Sequence, residues 1–521
     1  MRLYSSVALM GSRTRSVAVI GAGVGGLSCC IDLAASGMAV TLLERAPTTG
    51  GKMRVIEVGG LQIDAGPTVL TMRWVFDELF AAAGRALSDY ASLERADVLA
   101  RHAWPDGGRL DLFADQERSI DAIAGLCGRD EAERYRGFCD HARGIFQTVE
   151  GPFLKSQRPT VGSLLRQAGQ MGFGALARID AHRTMWRALE ATFRDPRLQQ
   201  LFGRYATYCG SSPFSAPATL NLIAHVESLG VHRVHGGMRA LAQGLERLAR
   251  ELGVTVRTSA EVAEVVVHAG RAAGVRLCTG EVLEADAVVS NGDLSALGGG
   301  MLGPAGARAV RPTDARSRSL SAITWAIAGR AEGFPLVHHN VFFSSDYPAE
   351  FAALTRDHRV PAAPTAYLCA LDRGDEATSH ADERFSVIVN APATGDVPSA
   401  WTDEERERCE RNLRATLRSC GLELSSRASV QTTPVEFHTL FPGTGGALYG
   451  PMATSSLSAL SRQGSRTRIA RLYVAGGSVH PGPGVPMAAL SGRLAAQSVR
   501  EDLASTGRSY PAATRGSTSP A

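Results

Sequence analysis

The hydrophobic positions near the N-terminus form a strand, a helix and a second strand. Ser16–Ile20 (SVAVI) is a short β-branched run, typical of a buried strand. The stretch GLSCCIDLAASG then predicts a helix that ends at Gly37, and MAVTLLE predicts a second strand that ends at Glu44. This order predicts a βαβ unit built on a parallel sheet.

Further along the chain, hairpin patterns alternate with helical ones. RVIEVGGLQID and VLARHAWPDGGRLDLFAD predict hairpins, and RWVFDELFAAAG predicts an amphipathic helix. Residues 120–227 are mostly helical in pattern, 261–291 predict three short strands, and 323–392 are dominated by strands. TDEERERCERNLRATLRSCG predicts a helix with a capping-box pattern from Thr402 to Glu405. The strand LYVAGGS and the helix PMAALSGRLAAQSVREDL come last.

The first βαβ unit carries a glycine motif in which each glycine has a physical reason for its position. Gly21 permits a tight turn, Gly23 lets backbone approach a pyrophosphate, and Gly26 lets the helix pack closely on the sheet. The free N–H groups at the start of the helix attract phosphate. Glu44, at the end of the second strand, is placed to accept hydrogen bonds from a ribose. The unit therefore predicts a dinucleotide site.

Composition excludes several classes of protein. The 55 basic and 51 acidic residues give a net charge of only +4, which argues against a general binder of nucleic acid. The nine cysteines form no CxxC pair, as expected for reduced thiols in the cytoplasm. No apolar run is long enough to span a bilayer. Met10 is an alternative start, and the stretch before it is too short for a secretory signal. No spacing typical of metal ligands is present.

Two further glycine loops indicate which dinucleotide is bound. Gly50-Gly51, followed by Lys52, lies just beyond Glu44 and resembles the extended fingerprint of the FAD-dependent amine oxidase and phytoene desaturase superfamily. LYVAGGSVHPGPGVPMAALSGRLAA, residues 472–496, joins a strand to a helix through a Gly/Pro-rich loop. Such a loop brings backbone close to a flat ligand and aims a helix N-terminus at negative charge on it.

Blocks along the chain resemble the carotenoid desaturase family. They include DAGPTVLTMRWVFDELF, DPRLQQLFGRYATYCGSSPFSAPATLNLIAHVE, FPLVHHNVFFSSDYPAEF and AGGSVHPGPGVPMAAL. Within the family they are most similar to the hydroxyneurosporene desaturases (1-hydroxycarotenoid 3,4-desaturases), and the similarity extends over residues 15–503. The resemblance implies FAD as cofactor. It also implies an aromatic residue near His232, and the stretch GVHRVHGG of this chain departs from that pattern.

The resemblance also assigns cofactor roles. Residues that should hold the ADP half are Gly21, Gly23, Gly26, Glu44, Arg45, Gly51 and Lys52. Residues that should lie near the flavin are Met53, Gly66, Pro67, Gly476, Gly477, Val485, Pro486 and Met487, while Val262 should contact the adenine through its backbone.

The implied fold is α/β: a discontinuous Rossmann-like FAD-binding domain with an inserted α+β substrate domain and a helical insert. The expected parts are 14–110, 228–297 and 436–505 for FAD binding, 111–227 for the helical substrate- or membrane-facing insert, 298–435 for the substrate sheet and 506–521 for a disordered tail.

The implied reaction removes two hydrogens from a saturated bond beside a polyene and inserts the 3,4 double bond of a 1-hydroxylated acyclic carotenoid. Because the polyene delocalises positive charge, no strong acid–base pair is required. His338, His339, Asp346 and His480 are candidates for a base or a hydroxyl anchor, or are ordinary structural polar residues, and no catalytic residue is assigned. A general phytoene desaturase, a redox-neutral carotene isomerase and a non-catalytic FAD- and carotenoid-binding protein remain alternatives.

An apolar carotenoid requires contact with a membrane. The stretch Val161–Phe193 mixes apolar residues with Arg and His, and is either an interfacial segment or a helical lid. We therefore expect a cytoplasmic protein attached peripherally to a membrane surface, with quinone or oxygen as electron acceptor.

Overall fold

The computed structural model describes residues 14–157, 179–374, 382–454 and 462–507. The strands are β1 (Ser16–Ile20), β2 (Ala39–Leu43), β3 (Val55–Val58), β4 (Leu61–Asp64), β5 (Leu93–Arg95), β6 (Val98–Ala103), β7 (Arg109–Phe113), β8 (His232–Val234), β9 (Thr255–Arg257), β10 (Val262–His268), β11 (Arg271–Leu277), β12 (Val282–Glu284), β13 (Ala287–Ser290), β14 (Ser321–Glu332), β15 (His339–Phe342), β16 (Ala366–Ala370), β17 (Glu383–Ala391), β18 (Glu423–Thr432) and β19 (Leu472–Val474). The α-helices are α1 (Val24–Ala35), α2 (Trp74–Ala82), α3 (Gln116–Cys127), α4 (Arg129–Val149), α5 (Met185–Thr192), α6 (Pro196–Gly203), α7 (Leu222–Ser228), α8 (Met238–Glu251), α9 (Leu294–Gly298), α10 (Gly303–Ala309), α11 (Tyr347–Thr355), α12 (Asp403–Ser419), α13 (Pro434–Leu440) and α14 (Val485–Gly507).

A five-stranded parallel sheet is assembled from distant parts of the chain. Its order is β19-β13-β1-β2-β9, and all four pairings are parallel. The strands are short apolar runs because helices cover the sheet, as is usual for parallel sheets. Helices α1, α2, α8 and α14 contribute to the largest hydrophobic core beside it. The α/β class and the discontinuous Rossmann-like unit are therefore confirmed.

A second sheet of seven strands, in the order β18-β14-β17-β16-β15-β6-β7, is mostly antiparallel. One face packs against α12 through a core that includes Trp325, Phe342 and Leu368. The other face packs against the helices of the insert, with Val341 and Phe343 in the shared core. The sheet thus stands between a covering helix and the interior of the molecule.

Two features of this sheet differ from the sequence pattern. The hairpin β6–β7 joins the second sheet, because β6 pairs in parallel with β15, although residues 14–110 were assigned to FAD binding. Strand β18 has the polar sequence ELSSRASVQT and gave no strand signal, because it is an edge strand with most side chains exposed. The boundaries between the parts stay predictions.

The helical insert is present, but much of the segment considered for membrane contact, residues 158–178, lies outside the described residues, as do 1–13 and the expected tail from 508 onward. In the remainder of that segment, Met185, Ala188 and Leu189 of α5 are buried. Within the described residues, no helix is long and apolar enough to cross a membrane.

Candidate active site

The first glycine loop has the close contacts that its sequence predicts. Gly21 has a φ of +94° and donates its N–H to the Leu43 carbonyl at 2.7 Å. A Cβ at Gly26 would lie 2.1 Å from the Gly21 carbonyl oxygen, so only glycine fits there. Gly23 is the N-cap of α1 and has no side chain to occupy the first N–H groups. Those groups are available to an anion.

Glu44 is held beside this loop. Its side chain is buried, and its two oxygens accept hydrogen bonds from the N–H groups of Ala22 (2.7 Å) and Ala46 (2.9 Å). A carboxylate has further lone pairs, so ribose hydroxyls can still be accepted. The chain leading to Val262 passes here, because the N–H of Ala260 donates to the Glu44 carbonyl at 2.8 Å.

The glycine doublet packs directly against the first loop. The Gly50 N–H donates to the Ala22 carbonyl at 2.8 Å, and a Cβ at Gly51 would lie 3.1 Å from the Cα of Gly23. The φ angles of Gly50 and Gly51 are +106° and +58°, a region that favours glycine. Backbone alone therefore forms this wall of the site.

The two basic residues assigned to the ADP half contact protein carbonyls in this structure. Lys52 Nζ donates to the Leu448 carbonyl and lies 5.2 Å from the ring centroid of Phe441, and burial lowers its pKa. Arg45 donates to two carbonyls at the end of α13, those of Thr439 and Leu440. Their roles at the cofactor stay predictions.

The C-terminal loop meets the first loop through Asn291. Its Nδ2 donates to the Gly21 carbonyl at 3.2 Å, and a Cβ at Gly476 would lie 3.0 Å from its Oδ1. That Oδ1 is buried and has no hydrogen-bond partner among the described residues. Helix α14 begins at Val485, and a Cβ at its Gly492 would lie 2.0 Å from the Gly25 carbonyl. The two glycine loops thus face one another.

The remaining positions expected near the flavin also adjoin these loops. Met53 is buried, and its N–H donates to the Gly50 carbonyl at 3.0 Å. A Cβ at Gly66 would lie 1.8 Å from the Lys52 carbonyl oxygen, which brings Pro67 next to the doublet. Gly477, Pro486 and Met487 belong to the C-terminal loop and the start of α14.

These loops fit a dinucleotide with a flat ring system. They provide a cradle that side chains would fill, an uncapped helix N-terminus, a buried carboxylate and the unpartnered Oδ1 of Asn291. Sequence reasoning missed Asn291 and Gly25. The signal for Asn291 was its position directly after β13, because ligands bind at the carboxyl ends of parallel strands.

The structure separates the four candidate bases. Asp346 is exposed and caps α11 by accepting from the Ala349 N–H at 2.9 Å. His480, in the C-terminal loop, packs edge-on against Phe153 with ring centroids 4.8 Å apart. His339 is the first residue of β15 and shares a face with Val341, and His338 directly precedes the strand. The Nδ1 of His338 is 3.0 Å from the Arg373 carbonyl, and that of His339 is 2.7 Å from the Tyr367 hydroxyl.

Potential metal ligands converge at one place in the described chain. Single donor atoms of His338, His339 and Cys369 lie within 4.8 Å of one another. In this structure the cluster is hydrogen-bonded: the Sγ of Cys369 lies 3.5 Å from the Nε2 of His338, and burial raises the pKa of Cys369 to about 12.

Comparison with known proteins decides the family. The sequence model described as flavin containing amine oxidoreductase matches residues 24–500. The chain belongs to this family. Its cofactor is FAD. We expect the glycine loops described above to hold it.

Two relatives and one solved structure refine the comparison. The chain is 50% identical to a hydroxyneurosporene desaturase of Rubrivivax gelatinosus over 501 residues, 95% of each chain. It is 41% identical to a hydroxyneurosporene desaturase of Cereibacter sphaeroides, covering 94% of this chain and 99% of the relative. An oxidoreductase structure from Methanosarcina mazei superposes with a TM-score of 0.59 at 16% identity, over 93% of this chain and 100% of that one, which shows the shared fold.

Proposed function

We propose that this chain is an FAD-dependent desaturase that introduces the 3,4 double bond into a 1-hydroxylated acyclic carotenoid. The observation that carries the proposal is the 50% identity to a hydroxyneurosporene desaturase over 95% of both chains. Similarity over this length includes the flavin loops, the insert and the second sheet, and therefore covers the substrate-facing parts as well as the cofactor site.

The surroundings of the loop after β4 suit a long apolar substrate. Val69, Leu220 and Ile223 are partly buried members of the hydrophobic cluster that joins the helical insert to the second sheet. A polyene placed there would bury apolar surface, which stabilises the complex by about 25 cal/mol for each Å² removed from water. The chain would therefore bind and orient the polyene mainly by shape.

The residues near this position suit loss of a hydride and a proton. FAD, when bound, would supply the acceptor for the hydride. Burial lowers the pKa of His339 well below its usual range, and burial raises the pKa of Tyr367, so both are neutral near pH 7. These two side chains therefore add no charge beside the polyene, which delocalises the developing positive charge, and a weak base is enough for the proton.

The same proposal includes a peripheral location at the cytoplasmic membrane surface, with a quinone or oxygen as the electron acceptor. Support comes from the substrate class, since an acyclic carotenoid resides in the bilayer, and from the lack of a membrane-spanning helix in the described part of the chain. Attachment would combine a shallow apolar surface with Arg side chains near headgroups.

The test is expression in cells that accumulate defined acyclic carotenoids, followed by pigment analysis. Cells that make 1-hydroxyneurosporene should form a product with one additional conjugated double bond. Cells that make only phytoene should show little change. Efficient conversion of phytoene would instead identify a general desaturase, and a changed double-bond geometry with unchanged length would identify an isomerase.

A further inference from the structure

A short chain of hydrogen bonds links the flavin side of the molecule to the second sheet. The Oγ1 of Thr68 lies 2.7 Å from the hydroxyl oxygen of Tyr367, and that oxygen lies 2.7 Å from the Nδ1 of His339. Thr68 directly follows Gly66 and Pro67, which are expected near the flavin. These three polar side chains, the Thr68–Tyr367–His339 chain, are therefore expected to begin beside the flavin.

Strand register places two of these residues on one face. His339 pairs with Cys369 and Val341 pairs with Tyr367 in antiparallel β15 and β16, so all four side chains share a face. Contact with Thr68 shows that this face is directed toward the cofactor-binding part. Leu368, on the opposite face, packs in the core beneath α12.

The chain borders space that a ligand can enter. Of the three residues, Thr68 alone lines a cavity of about 320 Å³, whose wall also includes Met238 and the charged Asp64, Arg233 and Arg373. Thr68 and Tyr367 are only partly buried, whereas His339 is 1% exposed. A ligand in the cavity would therefore meet Thr68, and Tyr367 is the next partly exposed member of the hydrogen-bonded chain, with His339 buried behind it.

Hydrogen-bond bookkeeping leaves capacity for one more partner. A neutral imidazole has one N–H and one acceptor nitrogen. When Tyr367 donates to the Nδ1 of His339 and accepts from Thr68, its oxygen keeps one lone pair, for which the neighbouring Cys369 thiol is only a weak donor. The Nε2 of His339 has no partner among the described residues. No hydrogen bond at Nε2 therefore opposes the tautomer in which Nδ1 accepts from Tyr367. A substrate hydroxyl can donate to the remaining lone pair.

We propose that Tyr367, positioned by Thr68 and His339, binds the terminal hydroxyl of the carotenoid and so selects hydroxylated substrates. This inference rests on the proposed function. In a 1-hydroxylated substrate the hydroxyl-bearing carbon is a near neighbour of the carbons that lose hydrogen, so its anchor must lie close to the flavin, where Thr68 is expected. Tyr367 is the specificity residue, and His339 is a positioning residue that acts through it.

The experiment compares kcat/KM for 1-hydroxyneurosporene and for neurosporene, which lacks the hydroxyl, in purified FAD-loaded variants. Tyr367→Phe should lower kcat/KM for the hydroxylated substrate by about tenfold, while neurosporene is converted as before. Tyr90→Phe is the matched control, because the Tyr90 hydroxyl donates to Glu251 away from the cavity, and it should leave the ratio unchanged.

Two further variants keep the test independent of folding. Thr68→Val removes the other end of the chain with little change in shape and should lower the same ratio. His339→Leu should lower it too, mainly through KM, whereas His339→Asn, which retains a polar atom near the place of Nδ1, should restore part of it. Flavin content and the thermal midpoint identify any variant that has not folded.

The outcomes distinguish the two levels of the argument. If wild-type enzyme does not convert 1-hydroxyneurosporene, the proposed function fails. If wild-type enzyme prefers it, but Tyr367→Phe and Thr68→Val keep that preference, the hydroxyl anchor lies elsewhere and this inference is overturned. Equal losses for both substrates would likewise contradict it, since they would indicate a general structural role.

Discussion

Gly23 has no Cβ atom, and this absence keeps the phosphate side of the cofactor site open. The residue caps α1 with φ and ψ of −72° and 174°, an extended conformation that any residue adopts. A Cβ would lie 3.1 Å from the Nδ2 of Asn291 and beside the free N–H groups of the helix. Space, and not backbone strain, therefore requires glycine here.

We expect Gly23→Val to fold but to lose FAD, because the branched side chain would occupy the phosphate position. Flavin absorbance of the purified protein measures the loss, and circular dichroism reports folding. Gly137→Val, at an exposed position of α4 with open space around it, is the control and should keep its flavin. A yellow Gly23→Val protein with full FAD content would contradict the assignment.

Glu350 is a buried carboxyl that makes stability depend on pH. It accepts hydrogen bonds from the Ser344 hydroxyl and from the N–H and hydroxyl of Thr365, yet burial raises its pKa from 4.5 to about 7. A raised folded-state pKa gives stability that is present below pH 4.5 and lost as the pH rises through 7. The loss is at most about 3 kcal/mol.

The thermal midpoint of the wild type should fall between about pH 5 and pH 8, and Glu350→Gln should reduce this fall by on the order of a few degrees. Differential scanning calorimetry at both pH values gives the comparison. Glu404→Gln, an exposed change on α12, is the control and should retain the wild-type difference. Parallel pH dependence in wild type and Glu350→Gln would show that this carboxyl is ionised throughout.

Helices α1 and α14 cross at two glycines, and this crossing aligns both cofactor loops. A Cβ at Gly492 would lie 2.0 Å from the Gly25 carbonyl and 3.1 Å from the N of Cys29. Backbone atoms cannot move aside as a flexible side chain can. Arg493 adds an ion pair to the buried Asp32 at 3.2 Å across the same crossing.

Gly492→Ala should separate the helices, lower the thermal midpoint and weaken FAD retention. The control is Gly125→Ala in α3, where open space surrounds the residue and alanine should stabilise the helix by about 0.5–1 kcal/mol. Thermal melts and flavin release on dialysis provide the measurements. An unchanged midpoint and full flavin content in Gly492→Ala would contradict this account of the crossing.

Elements with a strong local signal could be predicted from the sequence, and those defined by distant contacts could not. The motif around Gly21 combines apolar periodicity with glycine spacing, and its βαβ unit is confirmed. The pairing of β6 with β15 depends on a partner more than two hundred residues away, and polar β18 has no periodicity to detect. Thr402 does cap α12, accepting from the Glu405 N–H, but the reciprocal capping box forms at Thr433 and Glu436.

At the site, backbone geometry was easier to predict than side-chain direction. Glycine positions follow from steric necessity, and the doublet at Gly50 and the loop at Gly476 do adjoin the first glycine loop, while their roles at the cofactor stay predictions. The direction of Lys52 depends on Leu448 and Phe441, which only the folded chain brings close. The Thr68–Tyr367–His339 chain likewise joins three distant segments.

The assembled protein is expected to associate with membranes without spanning them. We expect it to sediment with vesicles that contain anionic lipid and to be released by high salt or carbonate, because attachment would rest on a shallow apolar surface and Arg–headgroup contacts. Flotation with neutral vesicles is the control. Extraction only by detergent would contradict peripheral attachment.

The most direct test of the central claim mixes the purified FAD-loaded enzyme with 1-hydroxyneurosporene or phytoene without oxygen, and follows flavin and polyene absorbance together. The account predicts that the hydroxylated substrate bleaches the flavin while its own absorbance shifts to the red, and that phytoene does neither efficiently. A change in polyene geometry without bleaching, binding without either change, or efficient bleaching by phytoene would contradict a hydroxycarotenoid desaturase.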